Sequence, residues 1–378
     1  MMLEMSFEPS GSEWHGLLGS TPLAHSQQLS RKTSMKVGLV GVGFMGWIHW
    51  LAYQRIAGIE VSAICSSDPK KRSGDWTDIQ GNFGPPGEKV DLTGCEVFHS
   101  LDELLVSDVD IVDICLPPSL HVGASEAAMK AGKHVFCEKP LALNATDCDL
   151  LVSTASEYGV KLFVGHVLPY FPEYQYARAL IESGTYGKLK GGHFKRIISD
   201  PTWLPDFYDR KTVGGPMIDL HVHDAHLIRM LFGMPERVAS FGRMRGDVVE
   251  FCNSIFDFGE SNFTVSATCG VINQQGRPFM HGYEIHLEDA TVHFEFAAYS
   301  DHPEAAPLKV LVSDGTVVRP ELPTGDDVAG FVGEIQEVQR CIVEDTDSAI
   351  LGGELARDAI LLAERQTESV CGGRIVSI

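Results

Sequence analysis

The sequence is short of positive charge. Thirty Lys and Arg stand against 51 Asp and Glu, a formal net charge of -21 over 378 residues, and a field of that sign repels nucleic acid and anionic lipid alike. A paired-cysteine motif is also missing. The nine cysteines include no CxxC pair and, being odd in number, cannot all pair internally, which points to a reducing, cytoplasmic setting. No apolar run reaches the roughly 20 residues of a membrane span; the most apolar segment, VGLVGVGFMGWIHWLA from Val37 to Ala52, is broken by glycines and a histidine. Internal repeats and low-complexity segments are lacking. Residues 1–34 have neither the apolar run nor the early basic cluster of a secretory signal, and are expected to be a disordered leader ahead of Met35. An enzyme with a small-molecule substrate fits what is left, in two domains of roughly 100 to 200 residues each.

From Met35 the pattern alternates between short β-branched runs and helical stretches: KVGLVGV, FMGWIHWLAYQRIA, IEVSAICSS, and, after a Gly- and Pro-rich loop, EVFHSLDELL, VDIVDICLP, HVGASEAAMKAG, HVFCEKPLA, NATDCDLLVSTASEYG and VKLFVGHV. Repeated strand and helix units predict a parallel sheet covered on both faces, a Rossmann domain over 35–165. Beyond about residue 184 strands follow one another without helices between them, from KLKGGHFKRIIS to LKVLVSD, with GPMIDLHVHDAHLIRMLFG reading as one helix. That predicts an α+β domain over 166–378 with a mainly antiparallel open sheet, closed by two helices that pack toward the Rossmann domain. The fold class is therefore α/β, and the sheet, if helices cover one face, leaves the other for a partner subunit.

Gly41, Gly43 and Gly46 form a GxGxxG turn directly after a strand and at the opening of a helix, the context in which that motif binds a dinucleotide. The first glycine allows the tight turn, the second the approach of a pyrophosphate, and the third close packing of helix on strand. Phe44 and Met45 complete the turn, and helix N-terminal amides would hold the phosphates. His49, one turn on, reads as a packed helix residue. At the end of the second strand, where an acid usually meets a free ribose 2'-hydroxyl, stand Ser66 and Ser67, followed by Lys70, Lys71 and Arg72. Hydroxyls and a lysine such as Lys71 suit a 2'-phosphate, so NADP is favoured over NAD.

Lys139 ends the strand HVFCEK at the carboxyl edge of the predicted parallel sheet, where open sheets bind ligands. His134 opens that strand at its far end, and Cys115 and Cys137 read as small core residues. His166 follows a strand ending at the same edge and is a candidate substrate contact, alternatively a hinge histidine. Tyr170 and Trp203 lie in aromatic loops suited to covering a hydroxyl-rich ligand. In a regular helix Asp219, His223 and His226 share one face, and His221, about 200 degrees round, does not.

The glycine turn, VDIVDICLPPSLH (109–121), AGKHVFCEKPLA (131–142), GPMIDLHVHDAHLIRMLFG (215–233) and the closing helices together resemble the Gfo/Idh/MocA family, named for glucose-fructose oxidoreductase and inositol dehydrogenase, over Lys36 to Ile378. The resemblance implies NAD(P)-dependent oxidation or reduction of a sugar, inositol or related polyol, and a homodimer or homotetramer assembled through the second sheet. It makes Lys139 the lysine of the EKP motif, with a cis bond before Pro140, Asp219 the helix aspartate and His223 the proton-transferring histidine. It places Leu116, Pro117 and His121 on the nicotinamide side and Glu138 near the nicotinamide ribose. The sequence departs from the pattern at Pro169, where an arginine is common, at His221, often glycine, and at His226, often aspartate. In this reading His223 is the base, assisted by Asp219 on its other ring nitrogen or on a substrate hydroxyl, and Lys139 binds the reacting oxygen. A metal held by Asp219, His223 and His226 or His166 is the rival; none is expected, because hydride transfer with a lysine and a histidine needs no Lewis acid. The family also includes relatives that cleave a glycoside through transient oxidation, and a non-catalytic nucleotide-binding role is the third alternative.

Overall fold

In the computed structural model, which describes residues 34–259 and 262–378, the first half of the chain builds a sheet in the order β3-β2-β1-β4-β5-β6. The expectation of a disordered leader falls on residues outside that range. The strands are β1 (Met35–Val40), β2 (Ile59–Cys65), β3 (Glu96–Phe98), β4 (Ile111–Ile114), β5 (His134–Glu138) and β6 (Leu162–Gly165). All five pairings are parallel. Helices α1 (Phe44–Tyr53), α2 (Pro69–Arg72), α3 (Leu101–Leu105), α4 (His121–Lys130) and α5 (Ala145–Tyr158) connect them. Every residue of β4 and β6 is buried, the mark of strands covered on both faces. Chain order reverses between β1 and β4, so their carboxyl ends flank the crevice where doubly wound sheets take ligands.

Helix α6 (Pro172–Ser183) follows. The sequence reading passed over it, although Pro172 at its first turn and Gly184 at its left-handed C-cap are the ordinary punctuation of a helix. The second sheet holds nine strands: β7 (Leu189–Ser199), β8 (Arg237–Arg245), β9 (Val248–Asp257), β10 (Thr264–Ile272), β11 (Phe279–Leu287), β12 (Ala290–Ala298), β13 (Pro303–Val312), β14 (Val317–Val318) and β15 (Val376–Ser377). It is antiparallel except where β7 meets β10. One face lies under α7 (Val222–Phe232) and α9 (Gly353–Gly372), which pack against β7 and β8. Helix α8 (Ala329–Glu344) instead packs against α1, sharing a core with Trp47, Ile48 and Phe136 of the first sheet's side. The two halves are stitched by Val164 N–H donating to Leu351 O.

The sheet's outer face is more polar than its alternation suggested. Val292 and Phe294 of β12 and Tyr283 and Ile285 of β11 turn inward and are buried. The opposite face carries a cross-strand row of Ile255, Ser266, His193, Glu284 and His293. The most exposed large apolar groups on this side, among the described residues, are Phe241 at 69% and Ile255 at 58%, with Leu311 and Val317 of β13 and β14 less exposed.

Candidate active site

The glycine turn is shaped by close contacts. Gly41 has φ +93, and a Cβ there would lie 2.6 Å from the Cys115 carbonyl oxygen; at Gly46 it would lie 2.1 Å from Gly41 O. A Cβ on Gly43 meets nothing within 4 Å. The turn is thus sealed on the protein side and open on the other, with α1 starting at Phe44 without a side-chain cap. Its first intrahelical bond runs from Trp47 N–H to Gly43 O, leaving the amides of Phe44, Met45 and Gly46 without intrahelical acceptors. This cradle of free amides fits a pyrophosphate. Leu116 lies against Gly41, and Pro117 is exposed at the same edge.

At the carboxyl end of β5 the peptide between Lys139 and Pro140 is cis. The Lys139 ammonium donates to Asp219 O at 2.8 Å and Asp219 Oδ1 at 3.1 Å. Asp219 sits in a wide, π-helical turn over Met217–His221 rather than in α7, and two glycines of positive φ, Gly214 and Gly215, lead into it. A Cβ on Gly214 would come within 2.7 Å of Ile218, so the entry tolerates no side chain there. Such turns recur where a helix is interrupted for function.

The wide turn changes the face argument made from the sequence. Asp219 gives its carboxylate to Lys139, and His223 Nδ1 has no partner among the described residues, so the two are not hydrogen-bonded to each other. His223 is half-buried at the start of α7, its ring edge-on to His166 at 6.3 Å between centroids. Burial first, and Lys139 next, push its pKa well below the ordinary 6.5, which favours the neutral imidazole with a ring-nitrogen lone pair free. His166, just after β6, is buried with neither ring nitrogen partnered, and burial, followed by the proximity of His226 and Lys139, holds it well below 6.5 as well. Lys139, paired with Asp219, acts electrostatically on both the His223 and His166 rings, and these rings meet edge-on, a set able to bind a hydroxyl oxygen and take its proton.

Residues 35–166 match the family model described as an oxidoreductase family with an NAD-binding Rossmann fold. Residues 174–293 match the GFO/IDH/MocA C-terminal domain. The chain belongs to the Gfo/Idh/MocA family. Among the relatives of this family member, a myo-inositol 2-dehydrogenase of Thermotoga maritima is 30% identical over 264 residues, 67% of this chain and 72% of that one. A 2,7-anhydro-N-acetylneuraminate hydratase of Escherichia coli is 31% identical over 210 residues, 54% of this chain, and the match spans about half of that protein's length, 52%. The solved structure of a levoglucosan dehydrogenase with NADH and levoglucosan superposes with a TM-score of 0.73 at 20% identity, covering 92% of this chain and 100% of that one.

Several residues expected in this Gfo/Idh/MocA site lie elsewhere. His226 is fully buried, stacked on His166 at 4.0 Å, with Nε2 donating to Ile350 O at 2.8 Å. Tyr170 is buried against Gly333 of α8, a core group rather than a loop-tip aromatic. His121 is enclosed, its nitrogens 2.7 Å from Pro140 O and Leu116 O, so it ties the two strand ends together from behind instead of lining the cofactor surface. Lys71 is buried and paired with Asp78, which removes it from the ribose end. His221, expected off the face shared by Asp219 and His223, turns to the core, bonded to Gln366 Oε1 at 2.9 Å. Trp203 is exposed at 59%. Ser66 accepts the Asp68 amide and Ser67 is exposed.

Two features beside the candidate site are not apparent from the sequence. Arg72, passed over in favour of Lys71, holds Ser66 O at 2.7 Å and His99 Nδ1 at 3.2 Å, so of the three basic residues it is the one beside Ser66. Asp113, an acid in the middle of the buried strand β4, was the signal of a buried polar group beneath the turn, since an acid is almost never fully buried unless paired.

Proposed function

We propose that the protein is an NAD(P)-dependent oxidoreductase that moves a hydride between nicotinamide and a hydroxyl or carbonyl of a sugar or polyol. The nicotinamide supplies or accepts the hydride when bound. Lys139 binds the reacting oxygen and stabilises its alkoxide character, and His223 takes or returns the hydroxyl proton. Asp219 fixes the lysine, and His166 offers a ring nitrogen to a neighbouring hydroxyl. Residues 35–165 serve the dinucleotide and 166–378 the substrate. The observation that carries this reading is the convergence of the Lys139–Asp219 pair and the unpartnered, neutral His223. NADP is the favoured cofactor, because Arg72 stands beside Ser66 where an acid would otherwise meet the ribose. Phe241 and Ile255 support assembly into a homodimer or homotetramer through the open sheet face, and the cysteine content favours the cytoplasm.

The test is a screen of purified protein with NAD+, NADP+ and their reduced forms against sugars, inositols and their keto forms, with Lys139→Ala as the control. Turnover in the parent and none in the control supports the reading; equal turnover in both defeats it. The likeness to an anhydro-sugar hydratase favours one second reading, transient oxidation with no net redox. It is distinguished by product release at constant absorbance at 340 nm.

A further inference from the structure

Beneath the glycine turn lies a polar cluster that the proposed reaction does not use. His49 of α1 is fully buried, with Nδ1 2.8 Å from Asp113 Oδ2 and Nε2 3.0 Å from Glu138 Oε1. Phe136 stacks on its ring at 5.2 Å and Phe331 of α8 tilts against it at 5.9 Å. Asp113 also accepts the Tyr53 hydroxyl at 2.9 Å and the Cys115 thiol at 3.5 Å. The remaining titratable neighbour is Glu334 of α8, fully buried with neither carboxyl oxygen partnered among the described residues; burial, then Glu138, pushes it well above the usual carboxylate range.

An imidazolium at His49 donates to both carboxyl neighbours. A neutral imidazole has one N–H, an ionised carboxylate only accepts, and here both nitrogens face carboxyl oxygens. Burial would lower the histidine, but Asp113 and then Cys115 hold it well above 6.5. The same trio of His49, Asp113 and Cys115 has donor atoms close enough to suggest a metal. The 2.8 Å contact is a hydrogen bond, however, whereas two tetrahedral zinc ligands at about 2.0–2.2 Å from the ion lie about 3.3 Å or more apart.

Glu138 is held at both oxygens. His49 takes Oε1, and the backbone N–H of Lys139 donates to Oε2 at 3.0 Å. Gly165 provides the room, since a Cβ there would lie 3.1 Å from Oε1. One carboxylate therefore joins the body of α1, whose first turn forms the phosphate cradle, to the backbone of the lysine that reaches Asp219. We propose that His49 is a positioning residue for Lys139: it clamps the Glu138 carboxylate, which in turn sets the lysine's backbone and the aim of its ammonium toward Asp219. Removing the clamp leaves Asp113 and Glu138 without their shared donor, and the lysine loses its anchor while its own side chain is intact.

The inference rests on the role given to Lys139 above, and its test reads the lysine without any turnover. Lysines are reductively methylated with 13C-formaldehyde, and the Lys139 signal is identified by its loss in Lys139→Arg. In His49→Gln, which keeps about the same length but carries its donors on a single nitrogen and so cannot serve Asp113 and Glu138 from opposite ends, the Lys139 signal is displaced and broadened while the other lysine signals stay. Glu138→Gln displaces it equally, and the double variant goes no further than Glu138→Gln alone, because groups acting in series are not additive. If His49→Gln does not fold, Glu138→Gln carries the same expectation alone. An unmoved Lys139 signal in either folded variant, or additive displacements in the double, overturns the inference. Full turnover in Lys139→Ala would instead defeat the role of the lysine and leave the clamp to be judged by the spectra.

Discussion

Acid should weaken this fold through the histidines packed around its site, and His226 gives that effect a size. Its ring is fully buried and its Nε2–H already donates to Ile350 O; burial brings its pKa from the ordinary 6.5 down to about 4. A base with a depressed folded-state pKa binds fewer protons folded than unfolded between those two values, so stability falls as the pH drops through that window and is fully present only above about 6.5. The full difference is worth about 3 kcal/mol at 1.36 kcal/mol per unit, of which about 2 kcal/mol is lost between pH 7 and pH 5. His226→Gln retains an N–H for Ile350 O and cannot titrate. Urea unfolding followed by circular dichroism at the two pH values, on parent and variant, isolates the contribution. The parent should lose about 2 kcal/mol more than the variant on acidification, with similar m-values. An equal loss in both would refute the reasoning, since the other buried histidines are present in each.

Three further outcomes are expected. Arg196 and Asp224 form a buried bidentate pair at 2.8 and 3.2 Å between β7 and α7; Asp224→Asn, which leaves the guanidinium unpaired, should cost about 3–5 kcal/mol in chemical denaturation, and a loss under 1 kcal/mol would contradict it. Arg72→Ala should weaken NADPH binding measured by fluorescence titration while NADH binding changes little; an equal change in both removes Arg72 from cofactor selection. Phe241→Asp with Ile255→Lys should lower the mass found by light scattering at micromolar concentration, and a parent that is already a monomer ends the assembly proposal.

The glycines at 41, 43 and 46 and the lysine at the end of a strand were legible because each depends on its immediate neighbours: a turn needs small residues at fixed offsets, and a strand end needs only the strand. The helix carrying Asp219 was legible as a helix but not as a broken one. Its periodicity assumes 3.6 residues per turn, and the widening over Met217–His221 is set by the double glycine and the packing of Ile218 and Val248 around it. That single departure moved Asp219 onto Lys139 and left His223 alone. Tyr170 and His226 read as ligand contacts because polar and aromatic groups near a motif look alike in sequence, whether α8 and the Ile350 carbonyl cover them or not. The cluster of His49, Asp113, Glu138 and Glu334 is gathered from α1, β4, β5 and α8, across 285 positions of chain from 49 to 334, and only the buried acid in β4 hinted at it.

The central claim is that His223 moves the proton and that the site works without a metal. The most direct measurement is the turnover of His223→Ala with the substrate and cofactor found by the screen, beside its cofactor affinity and the effect of prolonged EDTA on the parent. The account predicts a loss of at least roughly 100-fold in kcat, the lower end for general acid–base catalysis, with unchanged cofactor affinity and full activity after chelation. Turnover within a few-fold of the parent, or activity lost to EDTA and restored by zinc, would contradict it.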